Sequence, residues 1–198
     1  MNQLSAMTDH ELVELYETGN DRAFDILLGR HQAYIYSYIL FLVKDNDVAN
    51  DFFQETFSRA IVAIRSHKYQ TNGKFSAWLM RIAHNLIIDK SRESETNLTV
   101  RENQVKPKVL NSLSLSEATR EDEIINRQNR ESVRKLLDYL PVPQREVVMM
   151  RFYDDLSFKE IAQITGVSIN TSLGRMRYAL INMRRMAKEH HIELALCY

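Results

Sequence analysis

The stretch from Ser157 to Met186 constrains this chain most, because it encodes two short helices joined by a tight turn and followed by a basic face. Ser157 opens Ser157-Phe158-Lys159-Glu160, a capping-box pattern in which the hydroxyl and the glutamate three residues later satisfy each other's free backbone amides. Ile161, Ala162 and Ile164 supply the apolar side of the helix that follows, and Gly166 can take the left-handed conformation that ends it. Ser168 is placed to cap a second helix, whose apolar positions Ile169, Leu173, Met176 and Leu180 keep the three-to-four spacing of one face. Arg175, Arg177, Arg184, Arg185 and Lys188 follow with no acid among them, a concentration of charge suited to phosphate contact. Asn170, Thr171, Ser172 and Arg175 lie where a recognition helix presents side chains to base edges and phosphates in the major groove. Capped helical hairpins also occur in all-helical proteins that never meet DNA; small polar groups at the start of the second helix are what tilt this one toward a groove.

Composition narrows the alternatives. A length of 198 residues permits one or two small domains. The single cysteine cannot form an internal disulfide, so a reducing cytoplasm is the expected home. No apolar run is long enough to span a bilayer, and the start MNQLSAMTDHELVELYE carries early acids instead of a basic region and a hydrophobic segment. Neither membrane insertion nor export by a signal peptide is expected. With 26 basic and 26 acidic side chains the net charge is zero, which argues against nonspecific coating of nucleic acid and suggests that DNA binding is helped by a partner. A nucleic-acid enzyme is poorly supported, since there is no Walker loop, no nucleophile-elbow glycine pattern and no carboxylate set placed for metal chemistry. His190, His191 and Cys197 are a weak metal-ligand set close to the end of the sequence, and no metal or cofactor is expected.

The whole chain reads as all-α: two small helical domains, residues 1–92 and 120–198, joined by a flexible polar linker over 93–119. In the first block Thr8 and Glu11 form another capping pattern, and Ala23, Phe24, Leu27, Leu28, His31, Tyr34, Ile35 and Tyr38 keep a helical period. A further helix is expected from Asp47 to about Ser66, and another from Phe75 through Lys90, after a loop whose Asn72-Gly73 pair signals a turn. Leu79, Ile82, Ala83 and Leu86 are expected to face inward, and the lone Trp78 is read as core. Between Glu93 and Thr119, Asn and Ser residues surround Pro107 and the apolar period fades. Helices resume at the acid-rich Glu117 to Glu123, continue through Ile124, Val133, Leu136, Leu137 and Leu140, and stop at Pro141. Pro143 then opens a helix that carries Val147, Val148 and Phe152 inward.

Several separated segments together resemble one family, the bacterial RNA polymerase sigma factors of the extracytoplasmic-function group within the sigma-70 family. Asp47-Val48-Ala49-Asn50-Asp51-Phe52-Phe53-Gln54-Glu55-Thr56-Phe57 is similar to the family's region 2.2, and Trp78-Leu79-Met80-Arg81-Ile82-Ala83-His84-Asn85 to its regions 2.3 and 2.4. Leu140-Pro141, Arg145-Glu146-Val147, Arg151-Phe152, Phe158-Lys159-Glu160-Ile161-Ala162 and Asn170 through Ala179 resemble region 4 in order and spacing. The resemblance implies a subunit, not an enzyme, that binds core RNA polymerase, directs it to minus 10 and minus 35 promoter elements, and is held inactive by an anti-sigma factor. The family's additional C-terminal domain is not expected here after Lys188.

The resemblance also assigns roles. Asp51, Gln54 and Glu55, at i, i+3 and i+4 on one helix face, and Arg59 beyond them, become the polymerase-binding residues; Val48, Phe52, Phe53 and Phe57 are read as core or interface filling. The loop residues Tyr69, Gln70, Thr71, Asn72 and Lys74 stand where the family captures a base flipped from the minus 10 element, and extracting a base requires hydrogen-bonding groups and an aromatic or apolar wall. Arg81, His84, Asn85 and Arg92 are the expected contacts at the upstream edge of the bubble. Ser168, Asn170, Thr171, Ser172, Arg175 and Arg177 are the minus 35 candidates. The linker's family counterpart threads toward the polymerase active site, although a polar tether without that role fits the same composition. The rival reading is a stand-alone helix-turn-helix regulator, which would bind a palindrome as a dimer.

Overall fold

The structure, a computed structural model, describes residues 3–70, 73–95, 132–133 and 135–192; for Gln3 and residues 92–95 it describes the backbone alone. The chain divides into two compact units, Met1–Asn111 and Ser112–Tyr198. All regular structure among the described residues is helical. The linker residues 96–119, the acid-rich start of the second block and Ile124 lie outside the described residues.

The first unit opens with a 3-10 turn, Gln3–Ala6, followed by α1 (Asp9–Glu17), α2 (Asp21–Val43), α3 (Asn46–Arg65) and α4 (Phe75–Glu95). The capping box at α1 forms as expected: Thr8 Oγ1 accepts from the Glu11 amide, and Glu11 Oε2 accepts from the Thr8 amide at 2.7 Å. Asp45 caps α3 by accepting from the amides of Asp47 and Val48, which starts that helix one residue earlier than the apolar period suggested. Helix α2 is the central element, in contact with α1, α3 and α4. Its inward residues Leu27, Ile35, Tyr38 and Ile39 are fully buried with Leu12, Ile64, Leu79 and Met80 of its neighbours, and each such aliphatic burial contributes about 1.5–3 kcal/mol. Of the three phenylalanines of α3 assigned to core or interface, Phe57 is buried while Phe52 and Phe53 are half-buried; Val48 is exposed.

The start of α1 is stapled to α2. Arg30 donates to Asp9 Oδ1 at 2.7 Å and to the carbonyls of Ser5 and Met7, while His31 Nε2 meets Asp9 Oδ2 at 2.8 Å. The His31 hydrogen bond, aided by Arg30 and opposed by burial, holds the Asp9 carboxyl below the usual aspartate range. Because the folded value is the lower one, this contribution to stability is present above the ordinary aspartate pKa and is lost as pH falls through the depressed one.

In the second unit, helical backbone at 132–133 and 135–138 precedes α5 (Val142–Phe152), α6 (Phe158–Thr165) and α7 (Ile169–Glu189). Pro141 occupies the N-cap of α5, so the helix begins at Val142, one residue before Pro143. Leu136, Leu140, Val147, Met150, Leu156 and Ile161 form its core. Arg145 is buried there, donating to the carbonyls of Asp138 at 2.9 Å and Leu140 at 2.8 Å, and so closes the end of the preceding helical segment.

Two expectations fail in this unit. Phe152 does not point inward: it is 67% exposed at the last residue of α5, where Met149 and Met150 take the buried positions. The apolar face of α7 is also rotated. Ile169 is 45% exposed, Leu173 43% and Leu180 38%, whereas Ser172, Met176, Ala179 and Met186 are buried against α5 and α6. Two apolar arcs lie side by side on this helix, and the one with small side chains at Ser172 and Ala179 permits the close approach that packing demands.

Candidate functional site

The turn between α6 and α7 has the chemistry its sequence encodes. Ser157 Oγ accepts from the Glu160 amide, and Glu160 Oε2 accepts from the Ser157 amide at 2.8 Å. Gly166 takes the left-handed conformation (φ 67°) and its amide donates to the Ala162 carbonyl. Any other residue there would pay the left-handed penalty of about 1 kcal/mol, although a Cβ would meet no neighbour. Ser168 is the N-cap of α7, its hydroxyl accepting from the Thr171 amide at 3.0 Å. The same hydroxyl lies 2.8 Å from Thr171 Oγ1, so Ser168 orients a neighbouring side chain as well as ending the turn.

Asn170, Thr171 and Arg177 are exposed on α7, and Arg175 is half-buried. Asn170, Arg177, Arg184 and Lys188, at i, i+7, i+14 and i+18, share one exposed side of the helix, while Arg175 lies on another. The polar start of α7 thus runs into a line of cations. Ser172 is a correction to the expected set: it is 0% exposed, its Oγ is buried without a hydrogen-bond partner, and it cannot reach a groove. Packing of α7 against α5 places it on the inner face.

On α3, Asp51, Gln54, Glu55 and Arg59 are all exposed, opposite the buried Ala49, Thr56, Phe57, Ala60 and Ile64. Arg59 Nε donates to Glu55 Oε1 at 2.7 Å. An exposed pair of this kind contributes only a few tenths of a kcal/mol to folding, so it leaves both groups available to a partner.

The loop before α4 is built differently from its sequence reading. Tyr69 is buried, not presented to solvent: its ring packs edge-on to Trp78 at 4.7 Å and to Phe75 at 5.8 Å, with Trp78 and Phe75 5.5 Å apart. Apolar area drives the three rings together, and Trp78, expected in the core, is half-buried at its edge. Gln70 and Lys74 are exposed; Thr71 and Asn72 lie outside the described residues. Arg81 and Asn85 are exposed one turn apart on α4, and the side chain of Arg92 lies outside the described residues. His84 is a second correction. It is buried, with Nδ1 2.9 Å from the Tyr38 hydroxyl, and ties α4 to α2 in place of facing DNA.

Between this loop and the start of α1 lies a cavity of about 350 Å³, lined by Asp9, His10, Tyr69, Gly73, Lys74, Phe75 and Ser76. Burial raises the pKa of the Tyr69 hydroxyl, and the negative charge of Asp9 raises it further. Asp9 and His10 are absent from the sequence-derived set because Thr8 and Glu11 marked that segment only as a helix start. No helix of the described residues is long and apolar enough to cross a membrane. No group of three metal-ligating side chains occurs among the described residues; Cys197 lies outside them.

Comparison with known proteins places these surfaces in a family. Residues 27–96 match the model of Sigma-70 region 2, and residues 130–173 match that of Sigma-70 region 4. The chain is 32% identical over 158 residues to the ECF RNA polymerase sigma factor BldN of Streptomyces coelicolor, covering 79% of this chain and 57% of that protein's length. It is 26% identical over 180 residues to SigW of Bacillus subtilis, covering 89% of this chain and 95% of SigW. Among solved structures, the fold is similar to CnrH in complex with the cytosolic domain of CnrY (TM-score 0.60, 22% identity, 91% of this chain and 97% of that one). It is also similar to the sigma factor RpoE in complex with the anti-sigma factor NepR from Bartonella quintana (TM-score 0.59, 19% identity, 83% and 96%). With a region 2 match carrying the exposed α3 face and the α4 loop, and a region 4 match carrying the capped turn, this chain belongs to the extracytoplasmic-function group of the sigma-70 family.

Proposed function

We propose that this chain is a promoter-specificity subunit, which binds core RNA polymerase and directs initiation from minus 10 and minus 35 elements. The observation that carries the reading is the order of the two matches: region 2 followed by region 4 on one chain. A stand-alone regulator would have no use for the region 2 unit, with its exposed Asp51, Gln54 and Glu55 and its aromatic loop cavity. Residues 1–92 hold polymerase and the minus 10 strand, 93–119 connect, and 120–198 hold the minus 35 duplex. The subunit carries out no reaction of its own, acts in the cytoplasm, and is restrained by an anti-sigma protein, a reading supported by the similarity in fold to the sigma factor RpoE solved with the anti-sigma factor NepR.

Within the first unit, Asp51, Gln54, Glu55 and Arg59 face polymerase, while Tyr69, Gln70, Lys74, Arg81 and Asn85 serve the minus 10 strand, Tyr69 as a wall. Within the second, Asn170, Thr171, Arg175 and Arg177 contact the minus 35 duplex and Ser168 orients Thr171. Phosphate contacts release counterions, so their loss appears as a shallower dependence of affinity on salt. Arg177, in line with Arg184 and Lys188, is expected to lose about one unit of salt slope on substitution by alanine, and Arg175→Ala, on another side of the helix, to lose less. Salt titration of holoenzyme binding to a promoter fragment it transcribes checks this. An unchanged slope in Arg177→Ala would remove it from the DNA interface.

A further inference from the structure

Building on the minus 10 reading, we propose that Asp9 is a specificity-determining wall of the loop cavity, favouring a captured nucleobase that presents an amino group where thymine presents its carbonyl oxygen, namely cytosine or adenine, over thymine. Asp9 lies outside the segment matched by the region 2 model, yet it lines the same cavity as Tyr69, Lys74 and Phe75. Its position is fixed three ways: it is the first residue of α1, behind the Thr8 cap, and it is bonded to Arg30 at 2.7 Å and His31 at 2.8 Å. A wall held this firmly loses little entropy when it meets a base.

The chemistry of the wall sets its preference. An ionised carboxylate only accepts hydrogen bonds and has about four lone-pair sites, of which Arg30 and His31 engage two. Cytosine and adenine offer an amino donor at the edge where thymine offers a carbonyl oxygen. A donor finds a partner at Asp9; the thymine oxygen meets another acceptor. Tyr69 supplies the aromatic face against which a base can stack, and the charge of Asp9 acts on the Tyr69 hydroxyl, so the two groups serve one space. Arg30 offsets the carboxylate charge, which lowers the repulsion of an incoming phosphate.

Trp78 is the only tryptophan of the chain and packs on Tyr69 and Phe75, so its fluorescence reports on the cavity. The full-length protein is titrated with thymidine oligonucleotides that carry one central cytosine, one central adenine, or neither. The cytosine and adenine oligonucleotides should bind about tenfold more tightly than all-thymidine, the value of one charge-assisted hydrogen bond. Asp9→Asn, whose amide can donate to thymine, should erase that preference while the Trp78 response persists. An oligonucleotide with N4,N4-dimethylcytosine, which lacks the amino hydrogens, should lose the advantage on the wild-type protein even if the variant does not fold. A Trp78 response without base preference, or a preference that survives either change, overturns the role of Asp9 and leaves the minus 10 reading standing. No Trp78 response to any oligonucleotide overturns both.

Discussion

Replacing Arg145 by alanine is expected to destabilise the second unit by about 2–4 kcal/mol, from a buried carbonyl left without its donor and the space left by a large buried side chain. Arg145 is 5% exposed, and its guanidinium donates to the carbonyl of Asp138, which ends a helical segment, and to that of Leu140 in the bend that follows. Without it the buried Leu140 acceptor costs about 1–3 kcal/mol, and the space beneath α5 is left empty. A loss of this size is a large fraction of the roughly 5–15 kcal/mol by which a domain is stable. Chemical denaturation should show the transition of the second unit shifted to low denaturant and that of the first unit unmoved. Arg145→Lys should recover only part of the loss, because an ammonium cannot reproduce a planar fork bonded to two carbonyls. Burial lowers the pKa of Arg145 while Asp138 raises it, yet the group remains charged and able to donate at any pH where the protein folds.

The second large effect concerns binding and leaves the fold alone. Gln54→Ala combined with Glu55→Ala is expected to weaken association with core RNA polymerase at least tenfold, roughly 1.4 kcal/mol or more. Both side chains are exposed, and the contact described for Glu55 is a surface ion pair with Arg59. Their removal should therefore change folding stability by less than about 0.5 kcal/mol. Helical content by circular dichroism and affinity by competition for core polymerase separate the two quantities. Equal affinity of wild type and variant, with both folded, would take this face out of the polymerase interface.

How far residues could be placed from sequence depended on the range of the interaction that places them. The capping boxes at Thr8 and Ser157, the left-handed Gly166 and the Ser168 cap were legible because each is closed within three or four residues. The exposed face of α3 was legible because its polar residues alternate with a single apolar arc. On α7 two apolar arcs compete, and only contact with α5 and α6 selects the one containing Ser172 and Ala179. His84 carries no local signal of burial; its partner Tyr38 stands 46 residues away on α2. Tyr69 is buried by rings that reach it from α4, and Asp9 joined the cavity through a staple to α2 that no periodicity encodes. Each of these depends on tertiary contacts, and each changes which side chains are exposed to a partner.

The most direct test of the central claim is co-elution of the purified full-length chain with core RNA polymerase free of any sigma factor, followed by run-off transcription on genomic fragments. A promoter-specificity subunit should co-elute in a stable complex and produce start sites absent from core polymerase alone. A folded chain that fails to co-elute, or co-elutes without creating a start site, would contradict the account and favour a regulator that binds DNA by itself.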